Sequence, residues 1–270
     1  MTEPRRDERS DALPYALSDA KATLLLELGR GGMGVVYLVT RHLEEGRREL
    51  FVLKRMRADA SADETLRAMF VAEARLLARL HHPNVVETIA LVREARGDAI
   101  EMEYLDGQPL DRIARLAAST RALPRPIALS IVRALLAGLH AVHELRGDDG
   151  ALLGVVHRDV SPHNVFVTYE GAVKLLDFGV AKAIDGAQTR TGVVKGKATY
   201  MAPEQARRAA IDRRADLFAA GIVLVELLTG ARFWGDREEV EVLFALQRGE
   251  LPSLDLVAVA VDATLRSICA

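Results

Sequence analysis

The sequence predicts an α+β fold made of a small β-rich lobe with one helix and a larger, mainly helical lobe. Alternating and β-branched segments occupy only the first part of the chain, with a single amphipathic helical pattern among them. Two long apolar helical patterns follow, one opening at Pro126 and one at Ala215. We therefore expect a first lobe over 20–102 and a second over 103–270, preceded by a polar tail over 1–19.

The first strand pair is predicted around a glycine-rich segment. Gly29, Gly31 and Gly34 have the spacing G-x-G-x-x-G and run directly into the β-branched and aromatic stretch 35–39. In a dinucleotide-binding fold such glycines open a helix, whereas here they join two strands. Backbone amides at glycine can approach phosphate groups closely. The segment is thus either a phosphate-binding hairpin or an ordinary glycine-rich hairpin.

A lysine lies on the apolar face of the next predicted strand. Period-two alternation places Lys54 on the same face as Leu50, Val52 and Met56. Lysine is rarely buried without a partner. The Lys54 side chain therefore either extends along its own stem to solvent or pairs with an anion.

The helix of the first lobe offers that anion. Residues 61–64, Ser-Ala-Asp-Glu, fit a capping box, and apolar residues follow at spacings of three and four as far as Leu80. Glu73 lies inside this apolar stripe. Because an unpaired carboxylate would be costly there, we expect Glu73 and Lys54 to pair. Pro83 ends the helix, since proline disfavours helical geometry in the residue before it.

Two carboxylates and an amide follow one another closely in the second lobe. His157-Arg158-Asp159 is followed by Asn164 and then by Asp177-Phe178-Gly179. Magnesium takes oxygen ligands, usually one or two carboxylates together with substrate phosphates and waters. Asn164 and Asp177 fit that supply, which leaves Asp159 free to accept a proton from a hydroxyl group.

This order, H-R-D-x-x-x-x-N followed by D-F-G, resembles the catalytic core of protein kinases. The segments 28–37 and 200–205, the latter containing Ala-Pro-Glu, are most similar to bacterial eukaryotic-like serine/threonine kinases. The resemblance covers roughly residues 20–270. It implies a two-lobed kinase fold, ATP with Mg²⁺ or Mn²⁺ as cofactors, and serine or threonine hydroxyls of proteins as acceptors.

The resemblance also implies roles for individual residues. Lys54, held by Glu73, would contact the α- and β-phosphates, while Asn164 and Asp177 would hold magnesium and Asp159 would act on the acceptor hydroxyl. Leu105-Asp106-Gly107 would form the hinge, whose backbone binds adenine at Glu103 and Leu105, with Met102 as gatekeeper. The residues implied to contact the nucleotide are Leu28, Gly29, Gly31, Gly34, Val36, Val52, Lys54, Met102, Glu103, Leu105 and Phe166.

The polar stretch before Ala202-Pro203-Glu204 corresponds to the activation segment of kinases. Thr189 and Thr191 are either phosphosites or solvated loop threonines. Arg158 would pair with a phosphate placed there and order the loop. Autophosphorylation between two copies would require a transient kinase dimer.

Two helical patterns are expected to build the second lobe. The helix opening at Pro126 presents one apolar face, formed by Ile127, Ile131, Leu135, Leu139 and Val142. His140 and His143 near that face are interpreted as surface or core histidines, because no third metal ligand accompanies them. The helix over 215–229 is apolar on nearly every side and ends at Gly230. Asp216 is either a simple helix-start carboxylate or, by resemblance, the anchor of the catalytic-loop backbone.

Three departures from the family pattern stand out. Val52 occupies a position where many kinases have alanine, which narrows the adenine pocket. Ser161 stands where serine/threonine kinases carry a lysine, and Lys197 stands where they carry a threonine. We hypothesise that Lys197 supplies the charge that stabilises the γ-phosphate. The chain stops at Ala270 without the arginine that usually pairs with the glutamate matching Glu204, which suggests a truncated catalytic domain.

Composition restricts the remaining possibilities. The net charge of −2 gives no indication of nucleic-acid or membrane binding. Cys269 is the only cysteine, so we expect no intrachain disulfide and no cysteine metal cluster. The start of the chain lacks an apolar signal core, and the longest apolar run, 217–228, is interrupted by Glu226 and too short to span a bilayer. We expect a cytoplasmic protein without a membrane segment.

Two alternatives to an active protein kinase remain open. A pseudokinase scaffold would bind partners without phosphorylating them, as the early end of the chain and Ser161 would allow. A small-molecule phosphotransferase of kinase-like fold would usually lack the Ala-Pro-Glu segment present at 202–204.

Overall fold

The computed structural model describes most of the chain. The described residues are 22–31, 34–94, 97–118, 122–177 and 198–253. They form two compact units. The first unit comprises the described residues as far as Arg67 together with Ile89–Tyr104, and the second comprises Ala68–Thr88 together with the described residues from Leu105 onward. The predicted tail over 1–19, the phosphosites Thr189 and Thr191, and Lys197 lie outside the described residues.

The first unit is built on a five-stranded sheet in the order β1-β2-β3-β5-β4, and the pairs β1/β2, β2/β3 and β3/β5 are antiparallel. Its strands are β1 Ala22–Arg30, β2 Gly34–His42, β3 Arg48–Met56, β4 Thr88–Glu94 and β5 Gly97–Glu103. One face carries a buried apolar cluster, formed by Val35, Tyr37, Val39, Phe51, Leu53 and Ala99. The side chains of Val52, Lys54 and Met56 are also buried and alternate with it along β3. Leu50, predicted on that second face, is exposed.

A short helix, α1 Ala58–Ser61, precedes the longer α2 Glu64–Leu77, whose first turn belongs to the first unit. The capping box predicted at Ser61 is wrong, because Ser61 ends α1. Asp63 caps α2 instead, since its Oδ1 accepts hydrogen bonds from the backbone N–H groups of Thr65 and Leu66 at 2.9 and 3.2 Å. A carboxylate at this position also interacts favourably with the positive end of the helix dipole.

The second unit is mainly helical. It contains the later turns of α2 and a small antiparallel sheet in the order β6-β7-β8, whose strands are β6 Gly107–Pro109, β7 Val165–Thr168 and β8 Val173–Leu175. The other helices are α3 Leu110–Ala118, α4 Arg125–His143, α5 Pro203–Ala206, α6 Arg214–Thr229 and α7 Glu239–Arg248. Gly107 has no room for a side chain, because an added Cβ would lie 2.2 Å from the carbonyl oxygen of Val167.

The core of the second unit forms where α4 packs against α6. Four of the five residues predicted on the buried face of α4 are buried, whereas Ile127 in its first turn is exposed. In the part of the chain that the structure describes, α4 alone is long and apolar enough to cross a membrane, judged by length and composition. Its inner face lies in the core.

Helix α6 is largely buried within this unit. It begins and ends close to the predicted positions, and Gly230 caps it in the left-handed conformation at φ 69°. The α+β class, with a sheet-rich first lobe and a helical second lobe, is therefore confirmed.

Candidate active site

The predicted phosphate-binding glycines lie at a hairpin turn in the first unit. Strand β1 ends at Arg30 and β2 begins at Gly34, with Gly29 opposite Val36 in the antiparallel register. The backbone N–H of Gly31 donates to the carbonyl of Gly34 at 2.8 Å. The predicted strand–turn–strand arrangement is thus confirmed. It excludes the glycine-to-helix geometry of a dinucleotide-binding fold for this segment.

Four of the residues predicted to contact the nucleotide share one face of the first sheet. Val36 lies directly opposite Lys54, and Val52 lies directly opposite Met102. Directly opposed residues project to the same side, and Val52 and Lys54 are two positions apart on β3. The Lys54 side chain is only 8% exposed, so it does not extend to solvent. Leu28 on β1 is exposed.

The other residues predicted to contact the nucleotide are divided between the two units. Glu103 ends β5 in the first unit, whereas Leu105 and the half-buried Phe166 of β7 belong to the second unit. Glu73 also lies in the second unit and is completely buried. Its pairing with Lys54 stays a prediction.

The catalytic loop is anchored by a buried carboxylate of α6. Arg158 has the positive φ of 63°, which is strained for a residue with a side chain. Asp216 stabilises this conformation, since Oδ2 accepts the His157 backbone N–H and Oδ1 accepts that of Arg158, both at 2.8 Å. His143 of α4 donates from Nε2 to Oδ2 at 2.7 Å. The anchoring role predicted for Asp216 is therefore confirmed.

His157 connects the loop that bears Asp159 to the strand end that bears Asp177. Its Nε2 lies 2.9 Å from the carbonyl oxygen of Leu176, and its Nδ1 accepts the Asp159 backbone N–H at 3.2 Å. A neutral imidazole, with one donor and one acceptor nitrogen, satisfies both contacts. Complete burial lowers the pKa of His157, which favours this neutral form.

The side chain of Asn164 is oriented by the backbone of Asp159, which precedes it in the motif. Its Nδ2 donates to the Asp159 carbonyl at 2.8 Å, and its own carbonyl accepts the Leu176 N–H at 2.8 Å. Because the amide nitrogen is used, the side-chain oxygen Oδ1 is the atom left to ligate a cation. Asp177, two residues beyond β8, supplies a carboxylate in a backbone conformation with φ 25°. This donor set fits a hard cation such as Mg²⁺.

No group of three or more histidine, cysteine, aspartate and glutamate side chains in the described ranges could hold a metal by itself. A cation bound at Asn164 and Asp177 would therefore need further oxygen ligands from phosphates and water, as Mg²⁺ commonly has.

An open pocket lies beside Asp159. Ser161 of the catalytic loop and Tyr200 and Met201 of the following segment line it, with Arg158 and Gln205. Gln205 fastens the two segments together, because its Nε2 donates to the Arg158 carbonyl at 3.2 Å while its Oε1 accepts the Ala202 N–H at 2.9 Å.

The Tyr200 hydroxyl donates to Glu226 Oε2 at 2.6 Å. Burial raises the pKa of Tyr200 and of Glu226. The phenol consequently stays protonated and keeps its role as donor.

Sequence reasoning missed Tyr200, Gln205 and Glu226 as site residues and assigned His143 only to surface or core. The signal for Glu226 was available, because a carboxylate within an apolar helix needs a partner, as argued for Glu73. The others are recognised only from contacts between distant positions.

Comparison with known proteins agrees with this geometry. The family model described as the protein kinase domain matches residues 23–254. The tyrosine-protein kinase MasK of Myxococcus xanthus is 44% identical over 230 residues, covering 84% of this chain and 36% of that protein. The probable serine/threonine-protein kinase PknB of Bifidobacterium longum is 36% identical over 242 residues, covering 84% and 33%. The chain thus spans about a third of the length of these curated relatives.

A solved structure supports the same assignment. The crystal structure of the PknI kinase domain of Mycobacterium tuberculosis is 30% identical, with a TM-score of 0.59, and the match covers 82% of this chain and 79% of that one. Taken together, the H-R-D loop, the anchored aspartate and the match of one family model to most of the chain show that it belongs to the protein kinase family.

Proposed function

We propose that this chain is a serine/threonine protein kinase that transfers the γ-phosphate of Mg-ATP to hydroxyl groups of protein substrates. The observation that carries the proposal is the anchored catalytic loop. Asp216, His157 and Asn164 together fix the backbone on both sides of Asp159. A pseudokinase would have no need for an intact base held in this way, and the residues proposed for phosphate and metal binding, Lys54, Glu73, Asn164 and Asp177, are all present.

In this proposal the chain contributes positioning and charge. Lys54, held by Glu73, contacts the α- and β-phosphates, the glycine turn covers the phosphates, and Asp159 accepts or orients the proton of the acceptor hydroxyl. Asn164 Oδ1 and the Asp177 carboxylate hold the cation, Mg²⁺ or Mn²⁺. When bound, the cation neutralises charge that develops on the phosphate oxygens.

A second acceptor class is favoured by one specific feature. Ser161 is small and buried, and it lines the pocket beside Asp159, where the family pattern places a long lysine. This leaves more room for an acceptor side chain, and a tyrosine ring is larger than serine or threonine. The 44% identical relative is named a tyrosine-protein kinase. Tyrosine phosphorylation is therefore the second candidate function.

The proposal is tested by incubating the chain with labelled ATP and magnesium, in the presence and in the absence of myelin basic protein. We expect label in the acceptor and in the chain itself, and phosphoserine or phosphothreonine after acid hydrolysis. Phosphotyrosine as the main product would select the second candidate. Nucleotide binding without transfer would indicate a pseudokinase, and label that enters an added mixture of small hydroxyl compounds but neither protein would indicate a small-molecule phosphotransferase.

Autophosphorylation is proposed at Thr189, Thr191 or both, with Arg158 as the group that binds the added phosphate. It would proceed between two copies of the chain in a transient dimer, in the cytoplasm. Mass spectrometry after incubation with ATP locates the sites. An active enzyme with both threonines unmodified would contradict this assignment.

A further inference from the structure

Trp234 is the only tryptophan of the chain, and only 4% of it is exposed. It lies between α6 and α7, in a loop remote in sequence from the catalytic motifs. Its indole Nε1 donates to the carbonyl oxygen of Thr199 at 2.9 Å. Buried tryptophan N–H groups usually find an acceptor. Here the acceptor belongs to the one-turn 3₁₀ helix Ala198–Tyr200, which leads into the wall of the pocket beside Asp159.

The residue before Trp234 holds the same turn through a second route. The backbone N–H of Phe233 donates to Glu226 Oε1 at 3.0 Å, and Glu226 Oε2 accepts the Tyr200 hydroxyl at 2.6 Å. The two rings pack edge to face, with centroids 5.6 Å apart. Two consecutive residues therefore fix Thr199 by its backbone and Tyr200 by its side chain.

An apolar cluster keeps Trp234 in place. Its buried members are Trp234, Val242, Ala245 and Leu246. Met201, which lines the pocket, packs against this cluster. Because buried side chains in a packed cluster occupy defined rotamers, the indole N–H is held in a fixed direction.

We infer that Trp234 is a positioning residue for the protein acceptor. It fixes the wall formed by Tyr200 and Met201 through the Thr199 carbonyl, and that wall lines the same pocket as Asp159 and Ser161. Trp234 lines no part of the pocket itself. The inference rests on the proposed function, and it concerns binding of the acceptor rather than binding of ATP.

The substitution Trp234→Phe tests this role, because it keeps an aromatic ring in the cluster and removes the N–H donor. A hydrogen bond of this kind is worth on the order of a fivefold to tenfold change in an equilibrium constant. We therefore expect the KM for myelin basic protein to rise by about that factor, while the KM for ATP changes less than about twofold. A role in folding alone would lower the active fraction, and hence kcat, without this selective change in KM.

Val242→Ala is the matched control. It removes apolar volume from the same cluster but keeps the indole N–H donor, so its rise in acceptor KM should be clearly smaller than that of Trp234→Phe. A selective rise in acceptor KM in this control as large as that in Trp234→Phe would overturn the inference, because packing alone would then explain the effect.

Fluorescence gives a second measurement, since Trp234 is the only tryptophan and selective excitation of tryptophan therefore reports on it alone. Adding an acceptor peptide that contains serine and threonine but no tryptophan should change this emission, with saturation near the KM for that peptide. The Val242→Ala variant should respond in the same way. Unchanged emission at saturating acceptor would overturn the inference.

Failure of the proposed function and failure of the role of Trp234 give different kinetic results. If the wild-type chain transfers no phosphate, both the proposed function and this inference are wrong. If the wild type is active and Trp234→Phe has the same acceptor KM, only the inference is wrong.

Discussion

The catalytic loop around Asp159 and the wall formed by Tyr200 and Met201, here called the acceptor wall, line the same pocket, but different interactions hold them. The loop around Asp159 is fixed by a buried carboxylate, Asp216, and by a buried imidazole, His157, both of which bind backbone groups. The wall is fixed by the indole hydrogen bond to the Thr199 backbone, by the hydrogen bond between the Tyr200 and Glu226 side chains, and by an apolar cluster. A hydrogen bond from a backbone group to a charged carboxylate is stronger than one between neutral groups, and apolar packing tolerates small shifts. The backbone of the catalytic loop thus has the stiffer support.

The largest effect should follow from removing the proposed base, Asp159. Asp159→Asn preserves shape but cannot accept a proton, so turnover should fall roughly a hundredfold to ten-thousandfold. Nucleotide affinity should stay close to that of the wild type. Asp177→Asn should instead weaken magnesium-dependent nucleotide binding. Calorimetry with and without Mg²⁺ separates the two variants, and identical binding profiles would show that their roles are wrongly assigned.

The next largest effect should come from Lys197, which lies outside the catalytic loop around Asp159. If Lys197 supplies the ammonium group that Ser161 lacks, Lys197→Ala should cost about 2–4 kcal/mol of transition-state stabilisation, the scale of one preorganised donor. The double substitution Ser161→Lys with Lys197→Thr should restore much of that loss, because the pair acts as a unit. Steady-state kinetics provide the measurement. Near-normal turnover in Lys197→Ala would exclude the exchange.

The anchor of the loop should have a clear stability effect. Asp216→Asn keeps the volume but replaces one acceptor oxygen with a donor, which then faces a backbone N–H or the His143 N–H. We expect a loss of about 2–3 kcal/mol in the free energy of unfolding, measured with denaturant. Asp212→Asn is the matched control, since Asp212 is an exposed residue paired with Arg214, and its loss should stay below about 1 kcal/mol. Equal losses would contradict the anchoring account.

The smallest effect is a pH dependence. Burial lowers the pKa of His157 in the folded state, so the unfolded chain binds a proton more readily. The stability that this residue contributes is present above the ordinary histidine pKa of 6.5 and declines as the pH falls below it. In His157→Phe the free energy of unfolding should depend less on pH below 6.5. An unchanged slope would mean that another group titrates.

Local sequence patterns could predict some elements of the fold but not others. Strand β2, helix α6 and its Gly230 cap follow from local patterns and agree with the structure. The three-stranded sheet β6-β7-β8 was not predicted, because strands of three or four residues are too short to show a period of two. Asp63, not the predicted Ser61, caps α2, because both residue types can accept the first N–H groups of a helix and only the geometry of the turn decides between them.

The candidate site residues also fall into two groups, those that a local motif predicts and those that only the fold reveals. Asp159, Asn164 and Asp177 are found from a motif with fixed spacing. Trp234 and Thr199 are 35 positions apart, and their contact depends on how α6 ends and where the next loop turns. No local pattern marks such a pair. The nucleotide, metal and phosphate roles assigned to individual residues remain predictions.

The most direct test of the account compares the kinetics of two conservative variants under the same conditions. Asp216→Asn disturbs the anchor of the catalytic loop. Tyr200→Phe removes the hydrogen bond between the acceptor wall and Glu226. We predict that Asp216→Asn mainly lowers kcat, while Tyr200→Phe mainly raises the KM for the acceptor protein and leaves the KM for ATP unchanged. If both variants changed the same kinetic parameter to the same extent, the loop and the wall would not have separate roles.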